Sequence, residues 1–315
     1  MSPYILLYKT LFPWKYRHYL QRAGGNVDMC HETLLHGTFY EEYALYGFAG
    51  KSDAERREYL TDAVRNKICR RVNSRQGERI IANKWLTYRH LSQFYRRRLW
   101  LLQESNLEKV ITYGTNAGLL VAKPADRCGG RGVQLLTGSS QEEWRELLKD
   151  KQGWVIEECI VQDERLTQWN PSSVNTIRMN SFLHNGKVTF FTAFIRTGRH
   201  GAFVDNGAQG GLFASIDTDT GVIFTDGYDE NGGRYQAHPD SGVPYQGVLI
   251  PRWQELVNLT TAMALTMPDM VYIGWDMALT ADGWEPVEAN RGEFVAQQVT
   301  QGCGLRHAFE QACGI

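Results

Sequence analysis

The chain has 315 residues, of which 43% are hydrophobic and 22% charged, so it is long enough for one large domain or two to three small ones with buried cores. Its net charge of −1 gives no support for nucleic-acid binding, and its six cysteines include no Cys-x-x-Cys pair, which argues against a zinc site or a disulfide framework. Because no apolar run reaches the ~18 residues of a membrane span and no signal peptide is recognisable, the sequence predicts a cytoplasmic protein with reduced thiols.

Residues 1–110 are predicted to be mostly helical. One helix is expected over 52–71, with an N-cap at Ser52, and a second over 84–102. Residues 51–110 carry 15 Lys/Arg against 7 Asp/Glu, which suits either a solvated helical face or contact with a polyanion, an acidic glycan or an anionic membrane. The aromatic and basic segment 4–19 predicts either a docked helix or a peripheral membrane contact.

From Gly114 onward the pattern changes to short apolar strands joined by turns such as Asn185-Gly186. Two helices are expected in this part, over 141–149 and 253–267. The alternation predicts an α+β fold with largely antiparallel sheets, without internal repeats. The predicted strands are 119–124, 133–136, 154–161, 176–183, 188–195, 212–216, 222–224, 272–280 and 284–290.

A lysine and three glycines lie between the first two of these strands. Lys123 ends one strand, and Gly129, Gly130 and Gly132 precede the next. Glycines allow backbone N–H groups to approach an anion closely, and a lysine adds a point charge to the same phosphates. The segment therefore predicts a phosphate-binding hairpin lid, with a purely structural hairpin loop as the alternative.

The strand over 154–161 carries two adjacent carboxylates, Glu157 and Glu158. Its backbone groups are positioned to bind the edge of an adenine, and Glu164 shortly afterwards to accept hydrogen bonds from a ribose. The alternative is an ordinary edge strand with solvated acids.

The last predicted hairpin carries the strongest site signal. Glu288 and Asn290 share one face of their strand because side chains alternate. Asp276 joins them only in one register: a two-residue Asp282-Gly283 loop turns it away, whereas a three-residue loop, 281–283 with Gly283 left-handed, places it opposite Glu288. The three-residue loop is the prediction.

Two carboxylates and an amide oxygen on one face are hard ligands that suit Mg²⁺ bound together with substrate phosphates. Asp276, Glu288 and Asn290 are therefore predicted to bind this ion. Arg178, on a strand, and Arg291, directly after Asn290, are candidates for stabilising charge on a phosphoryl group, because a guanidinium grips phosphate at two points. An ordinary exposed strand position remains the alternative for Arg178.

In this order, the segments resemble the ATP-grasp superfamily over about residues 80–300, and the helical front half looks closest to its sugar-transfer-associated branch. The resemblance implies two α+β lobes that clasp ATP, preceded by a mainly helical domain. The expected limits are 1–112 for the helical domain, 113–168 for the small lobe and 169–315 for the large lobe. It also implies that Lys84 and Lys123 bind phosphate and that the segment through Ile160 holds adenine.

The resemblance further implies an ATP-dependent ligase that joins a carboxylate to an amine through an acylphosphate, on substrates that are small molecules and in this branch carbohydrate-linked. Two alternatives stay open. The first is a small-molecule or sugar kinase in the same cleft, with Asp205 as the general base. The second is a non-catalytic binding module. The sequence leaves the identity of the carboxylate, the acceptor and the oligomeric state open.

Overall fold

The structure is a computed structural model that describes residues 2–127, 130–203, 205 and 210–315. It contains an N-terminal set of helices, a four-stranded sheet and a seven-stranded sheet. Every strand pairing within the two sheets is antiparallel. The predicted α+β class with antiparallel sheets and a helical N-terminal region is therefore confirmed.

Helices occupy most of the chain up to residue 91. Several start at a polar side chain that accepts a hydrogen bond from the first turn, as Asn26 Oδ1 does from the backbone of Met29 at 3.0 Å. These helices are α1 (Pro3–Leu11), α2 (Pro13–Arg22), α3 (Val27–His36), α4 (Tyr40–Leu45), α5 (Asp53–Arg57), α6 (Asp62–Val72), α7 (Arg75–Ile81) and α8 (Lys84–Leu91).

Both helices predicted from the sequence in this region were too long. The one over 52–71 does begin at the predicted N-cap, Ser52, but it divides into α5 and α6 because Thr61 caps a new helix and accepts a hydrogen bond from Val64 N. The one over 84–102 ends at Leu91, and the chain then forms a short 3-10 turn and a strand. Pairing of that strand with the small sheet overrides its local helical pattern.

The small sheet has the strand order β1-β4-β2-β3 and is covered by two helices. Its core packs Trp144 and Leu148 against Val110, Ile111 and the strands. Because β1 pairs with β4, this sheet begins before residue 113, the predicted start of the small lobe. The exact domain limits stay a prediction. Its elements are β1 (Leu99–Leu101), α9 (Leu107–Ala117), β2 (Leu119–Pro124), β3 (Gln134–Thr137), α10 (Gln141–Leu148) and β4 (Trp154–Glu158).

The large sheet has the order β11-β10-β5-β6-β7-β8-β9 and packs on α12. The predicted strand 222–224 is reduced to isolated bridges at Val222 and Ile223. The elements are α11 (Glu164–Thr167), β5 (Ile177–His184), β6 (Lys187–Thr197), β7 (Leu212–Ile216), β8 (Gly227–Tyr228), β9 (Arg234–Tyr235), α12 (Trp253–Leu265), β10 (Tyr272–Thr280), β11 (Gly283–Asn290), α13 (Val295–Gln301) and α14 (Arg306–Ala312).

A buried arginine joins the two sheets. Arg97 lies before β1, and its guanidinium contacts Glu157 of the small sheet at 3.2 Å and Glu285 of the large sheet at 2.7 Å. All three side chains are at least 96% buried. Removing Arg97 would leave Glu285 buried without this counter-charge and would disconnect the two glutamates, which makes the triad a fixed connection between the sheets.

Candidate active site

A cleft of about 920 Å³ has walls from both sheets. Lys123 of β2 and Ile160, just after β4, line one side. Arg196 of β6, Asp276 of β10 and Glu288 of β11 line the other. Predicted site residues from distant parts of the chain therefore meet in one cavity.

Two lysines bring positive charge to the cleft. Lys84 is the first residue of α8, whose N-cap Asn83 accepts a hydrogen bond from Leu86 N at 3.1 Å. Nζ of Lys84 donates to the carbonyl oxygen of Arg127 and lies 3.8 Å from Oε2 of Glu288. Lys123 Nζ forms an ion pair with Glu157. Both lysines thus reach the cavity for which the sequence predicted them.

Glu157 is a charge partner within the protein rather than a free carboxylate. Its side chain is buried between Lys123 and Arg97. Burial opposes its ionisation, but the two cations outweigh this and hold the pKa of Glu157 below its ordinary value. Glu157 therefore orients Lys123 towards the cleft, an arrangement that the sequence did not predict.

The β10–β11 hairpin places Asp276 directly opposite Glu288, as predicted. The predicted loop was nevertheless wrong. Thr280 pairs with Gly283, so the loop has two residues, Ala281 and Asp282, and a shift in register between Asp276 and Met277 leaves Val287 as an extra residue on β11. This β-bulge, rather than a longer loop, brings Asp276 and Glu288 into register.

Two arginines hold the carboxylate of Asp276. Arg178 of β5 forms two hydrogen bonds with it, one of them 3.0 Å from Nη2 to Oδ2, and Arg196 Nη2 lies 2.6 Å from the same oxygen. Burial opposes the charged form, but both guanidinium groups hold the pKa of Asp276 well below its ordinary value. Arg178 is buried as well, so it is not the exposed strand residue of the alternative interpretation.

Glu288 has the opposite electrostatic setting. Burial, followed by repulsion from Asp276, raises the pKa of Glu288 above its ordinary value, and Lys84 counteracts this only in part. Ionisation of Glu288 is therefore less favourable here than in water, and a further cation close to the carboxylate would favour it.

Asn290 is turned away from the cleft. Its Oδ1 accepts a hydrogen bond from Gly292 N at 2.6 Å, and its Nδ2 lies 3.4 Å from Oδ2 of Asp276. Within the described residues, no three His, Cys, Asp or Glu side chains form a ready metal site. The donor set nevertheless fits a hard cation, because the carboxylates of Asp276 and Glu288 lie opposite each other and Lys84 compensates the charge of Glu288 only in part.

The glycine-rich segment reaches the cleft through Gly130, which has φ 67°, and Gly132 follows with φ 80°. Both lie in the left-handed region that favours glycine. A Cβ on Gly132 would lie 3.1 Å from the side chain of Pro124. Gly129 lies outside the described residues.

Six predicted site residues of the described part of the chain do not line the cleft itself: Gly132, Glu158, Glu164, Arg178, Asn290 and Arg291. Glu158 accepts hydrogen bonds from Arg98 N at 2.6 Å and from the Tyr113 hydroxyl. Glu164 is exposed at the start of α11. Arg291 pairs with Glu78 and lies in an adjoining chamber.

Two cleft residues were missed in the sequence. Arg196 lies one residue beyond the predicted end of its strand, and it contacts Asp276 and, at 3.7 Å, Asp205. Asp205, considered only as a kinase base, also accepts a hydrogen bond from Thr176 N at 3.0 Å. A charged residue directly after an apolar strand was the available signal for Arg196.

A second chamber of about 2030 Å³ adjoins the cleft, and the two cavities share Lys84, Arg127, Arg196, Asp205 and Glu288. Its walls come from the large sheet, from α4 and from the segment that follows β11. Helix α13 packs on α4, and Gln298 Nε2 donates to the Tyr46 hydroxyl at 2.9 Å. The N-terminal helices therefore form part of this chamber.

Several solved structures are similar to this chain. They include carboxyaminoimidazole ribonucleotide synthase from Aspergillus clavatus with ATP (14% identity, TM-score 0.40, 68% of this chain and 45% of that one). A second is L-amino acid ligase from Bacillus licheniformis, with 13% identity and a TM-score of 0.43 over 71% of this chain and 44% of that one. A third is D-alanine-D-alanine ligase from Helicobacter pylori, with 14% identity and a TM-score of 0.47 over 75% of this chain and 61% of that one. This chain thus spans less than two thirds of each of the three. None of the curated proteins matches it.

The family is decided by the sequence itself. Residues 63–314 match the family model described as sugar-transfer associated ATP-grasp, which covers most of the chain and includes every site residue discussed above. The chain belongs to the sugar-transfer associated ATP-grasp family.

Proposed function

We propose that this protein is an ATP-dependent ligase that joins a carboxylate to an amine and releases ADP and phosphate. The observation that carries the proposal is the cleft itself. Lysines from α8 and β2 and the carboxylate pair of the β10–β11 hairpin converge there, and the cleft adjoins a second chamber large enough for another substrate. Membership of the ATP-grasp family supports ATP as the nucleotide.

The polarity of the cleft supports one orientation of ATP. Val121, Ile160 and Val287 give an apolar region for the adenine, next to the backbone that follows β4. Lys84 and Lys123 supply positive charge for the phosphates. The backbone at Gly130 and Gly132 would cover the phosphates, and the sequence predicts the same role for Gly129, which lies outside the described residues.

Glu288 and Asp276 would hold Mg²⁺, which would neutralise part of the charge of the phosphates. The raised pKa of Glu288 supports this assignment, because a cation beside it relieves both its burial and its repulsion from Asp276. Asn290 would join as the third ligand through its amide oxygen, which accepts one hydrogen bond from Gly292 N and has a second lone pair.

The reaction needs no covalent protein nucleophile. A carboxylate oxygen of the first substrate attacks the γ-phosphorus, the bond to the β-phosphate oxygen breaks, and ADP leaves with that electron pair. The amine nitrogen then attacks the acyl carbon, loses a proton, and expels phosphate. Arg178 and Arg196, which pair with Asp276, would stabilise the charge of the transferred phosphoryl group, and Arg291 would bind a substrate carboxylate in the second chamber.

The wall of the second chamber supports an amine as acceptor. Glu42, Asp62, Glu230 and Glu293 line it on the side of the N-terminal helices and the segment that follows β11. Burial is the main cause of the raised pKa values of Asp62 and Glu230, and repulsion from Glu293 adds to both. A positively charged amine would relieve that repulsion. The family description supports a carbohydrate-linked substrate.

A kinase is the second candidate, and one observation favours it. Asp205 lines both cavities, and burial raises the pKa of its carboxyl group above the ordinary value. Such a group is suited to accept a proton from an attacking hydroxyl. Its ion pair with Arg196 and its hydrogen bonds to Thr176 give it a structural role in the ligase as well.

Product stoichiometry separates the two. The protein is incubated with Mg-ATP and a panel of sugar acids and amino acids, with hydroxylamine as a general amine acceptor. A ligase releases ADP and phosphate in equal amounts and forms a hydroxamate from the activated carboxylate. A phosphorylated sugar without free phosphate would establish the kinase. Absence of any magnesium-dependent binding of a slowly hydrolysed ATP analogue would overturn both.

A further inference from the structure

The exposed surface of α1 and of the first residues of α2 is apolar where a water-exposed helix is normally polar. Among the described residues, six of the seventeen exposed large apolar side chains fall within residues 4–14. Scattered exposed leucines are common, but a contiguous apolar patch marks an interaction site. The side chains, with their exposed fractions, are Tyr4 (69%), Leu6 (52%), Leu7 (45%), Leu11 (62%), Phe12 (40%) and Trp14 (66%).

These side chains are not needed for the packing of the helix pair. The inward face already has its own core, in which Ile5 and Tyr16 are buried with Ala23 and Cys30. Tyr4, Leu7 and Leu11 follow helical spacing along the opposite side of α1. Helix α1 is thus apolar on both sides, and its outer side lacks a partner within the described residues.

The charge of this segment indicates the chemistry of the missing partner. Residues 2–27 contain Lys9, Lys15, Arg17 and Arg22 and no acidic residue. Lys15 Nζ lies 5.2 Å from the ring centre of Phe12 and 5.3 Å from that of Trp14, so positive charge and exposed aromatic rings occur together. Aromatic and aliphatic side chains next to Lys and Arg are typical of helices that lie in the headgroup region of an anionic bilayer.

We propose that α1 and α2 form a foot that binds the surface of a bilayer containing anionic phospholipid. Leu11, Phe12 and Trp14 enter the headgroup region, and Lys15 and Arg17 face the lipid phosphates. Contact is confined to the surface, since no helix of the described residues has the length and apolar character to cross a membrane. This inference does not depend on the proposed reaction.

The test is co-sedimentation of the full chain with vesicles of phosphatidylcholine, with and without phosphatidylglycerol. Binding to the phosphatidylglycerol vesicles is expected, and it should weaken as salt is raised. Replacing Leu11 and Trp14 by serine should weaken binding by about tenfold or more, because apolar insertion is lost. Lys15→Gln with Arg17→Gln should remove most of the salt dependence.

The matched control replaces Leu249 and Leu265 by serine, two side chains that are equally exposed but lie outside the foot. Circular dichroism and the thermal midpoint check that each variant folds, and Tyr4→Ser with Leu7→Ser gives a second test of the patch. Failure of the wild type to bind anionic vesicles, or equal binding by the foot and control variants, overturns the proposal. If the protein forms a dimer without lipid and Trp14→Ser abolishes that dimer, the membrane proposal is overturned, and the partner of the patch is a second copy of the chain.

Discussion

Asp276 and Glu288 are directly paired across the β10–β11 hairpin, yet the protein shifts their pKa values in opposite directions. Arg178 and Arg196 stabilise the charge on Asp276, whereas burial and the charge of Asp276 itself disfavour ionisation of Glu288. The charge of Asp276 is therefore compensated within the protein, whereas the charge of Glu288 would be stabilised by a bound cation. The difference gives the two positions distinct expected behaviour on mutation.

Glu288→Gln should raise the thermal midpoint of the free protein and remove the magnesium-dependent stabilisation by an ATP analogue. The pKa of Glu288 is higher in the folded than in the unfolded state, so its contribution to stability is present at low pH and is lost as the pH rises through the folded-state pKa. The gain in stability from glutamine should therefore be larger at pH 8 than near pH 4. For the wild type, analogue at about 100 times its dissociation constant should add roughly 2.7 kcal/mol. Thermal unfolding with and without Mg²⁺ and analogue measures both effects.

Glu146→Gln is the matched control for this experiment, because its side chain is exposed on α10 and far from the cleft. It should leave the midpoint and the response to ligand unchanged. An unaltered magnesium response in Glu288→Gln would remove Glu288 from the predicted metal site.

Asp276→Asn should strongly destabilise the protein, since it leaves two buried guanidinium groups without their shared carboxylate. Loss of one partner from a buried ion pair costs about 3–5 kcal/mol. Urea unfolding at neutral pH measures the change in the free energy of unfolding. Asp282→Asn, in the exposed loop of the same hairpin, should have almost no effect. Equal stability of the two variants would contradict the arrangement of Asp276 between the arginines.

Glu42 should make the stability of the protein depend on pH. It is buried and accepts hydrogen bonds from the backbone of Phe39 and Asp62, and burial raises the pKa of Glu42 to about 7. Because the folded-state value is above the unfolded one, its stabilising contribution is complete below about pH 4.5 and is lost as the pH rises through 7. The loss from this residue should reach up to about 3 kcal/mol.

Urea unfolding between pH 5 and 8 checks this, with Glu42→Gln expected to show a smaller fall in the free energy of unfolding than the wild type. The neighbouring Glu41 is exposed, so Glu41→Gln should retain the full pH dependence. If Glu42→Gln keeps the wild-type slope, another group is responsible for it.

Gly114→Ala should destabilise the protein although alanine is the better helix former. Gly114 lies in α9, and a Cβ at this position would come within 2.6 Å of the Trp144 ring. Overpacking should cost about 1–3 kcal/mol of stability, which exceeds the gain of about 1 kcal/mol from the higher helix propensity of alanine. The thermal midpoint measures the balance. Gly50→Ala, where an added Cβ has no neighbour within 4 Å, should not lower it, and a rise in Gly114→Ala would show that Trp144 can move aside.

Much of the second half of the protein could be predicted from the sequence. Short apolar runs bounded by turn residues located β2, β7 and β10 at their observed limits. The alternation of side chains along a strand placed Glu288 and Asn290 on one face of β11. The α+β class followed from the order of these elements, because an antiparallel hairpin requires only a local turn.

The first half was predicted less well. In α5 and α6 an apolar pattern continued across a second N-cap at Thr61, and the pattern after Leu91 was helical although the chain forms β1. In both places a local capping interaction or a strand partner far along the chain outweighs the intrinsic preference of the residues.

The sequence by itself determined which residue types are available to the site: a lysine before a glycine-rich segment, and an acid and an amide on alternate positions of a terminal strand. Only the tertiary structure decided which of them meet. The bulge at Val287 set the register of Asp276 against Glu288, and the pairing of β5 with β10 and of β6 with β5 brought Arg178 and Arg196 onto Asp276. Burial then made these charges consequential, since the strength of an ion pair depends on the distance between its partners and on their separation from water.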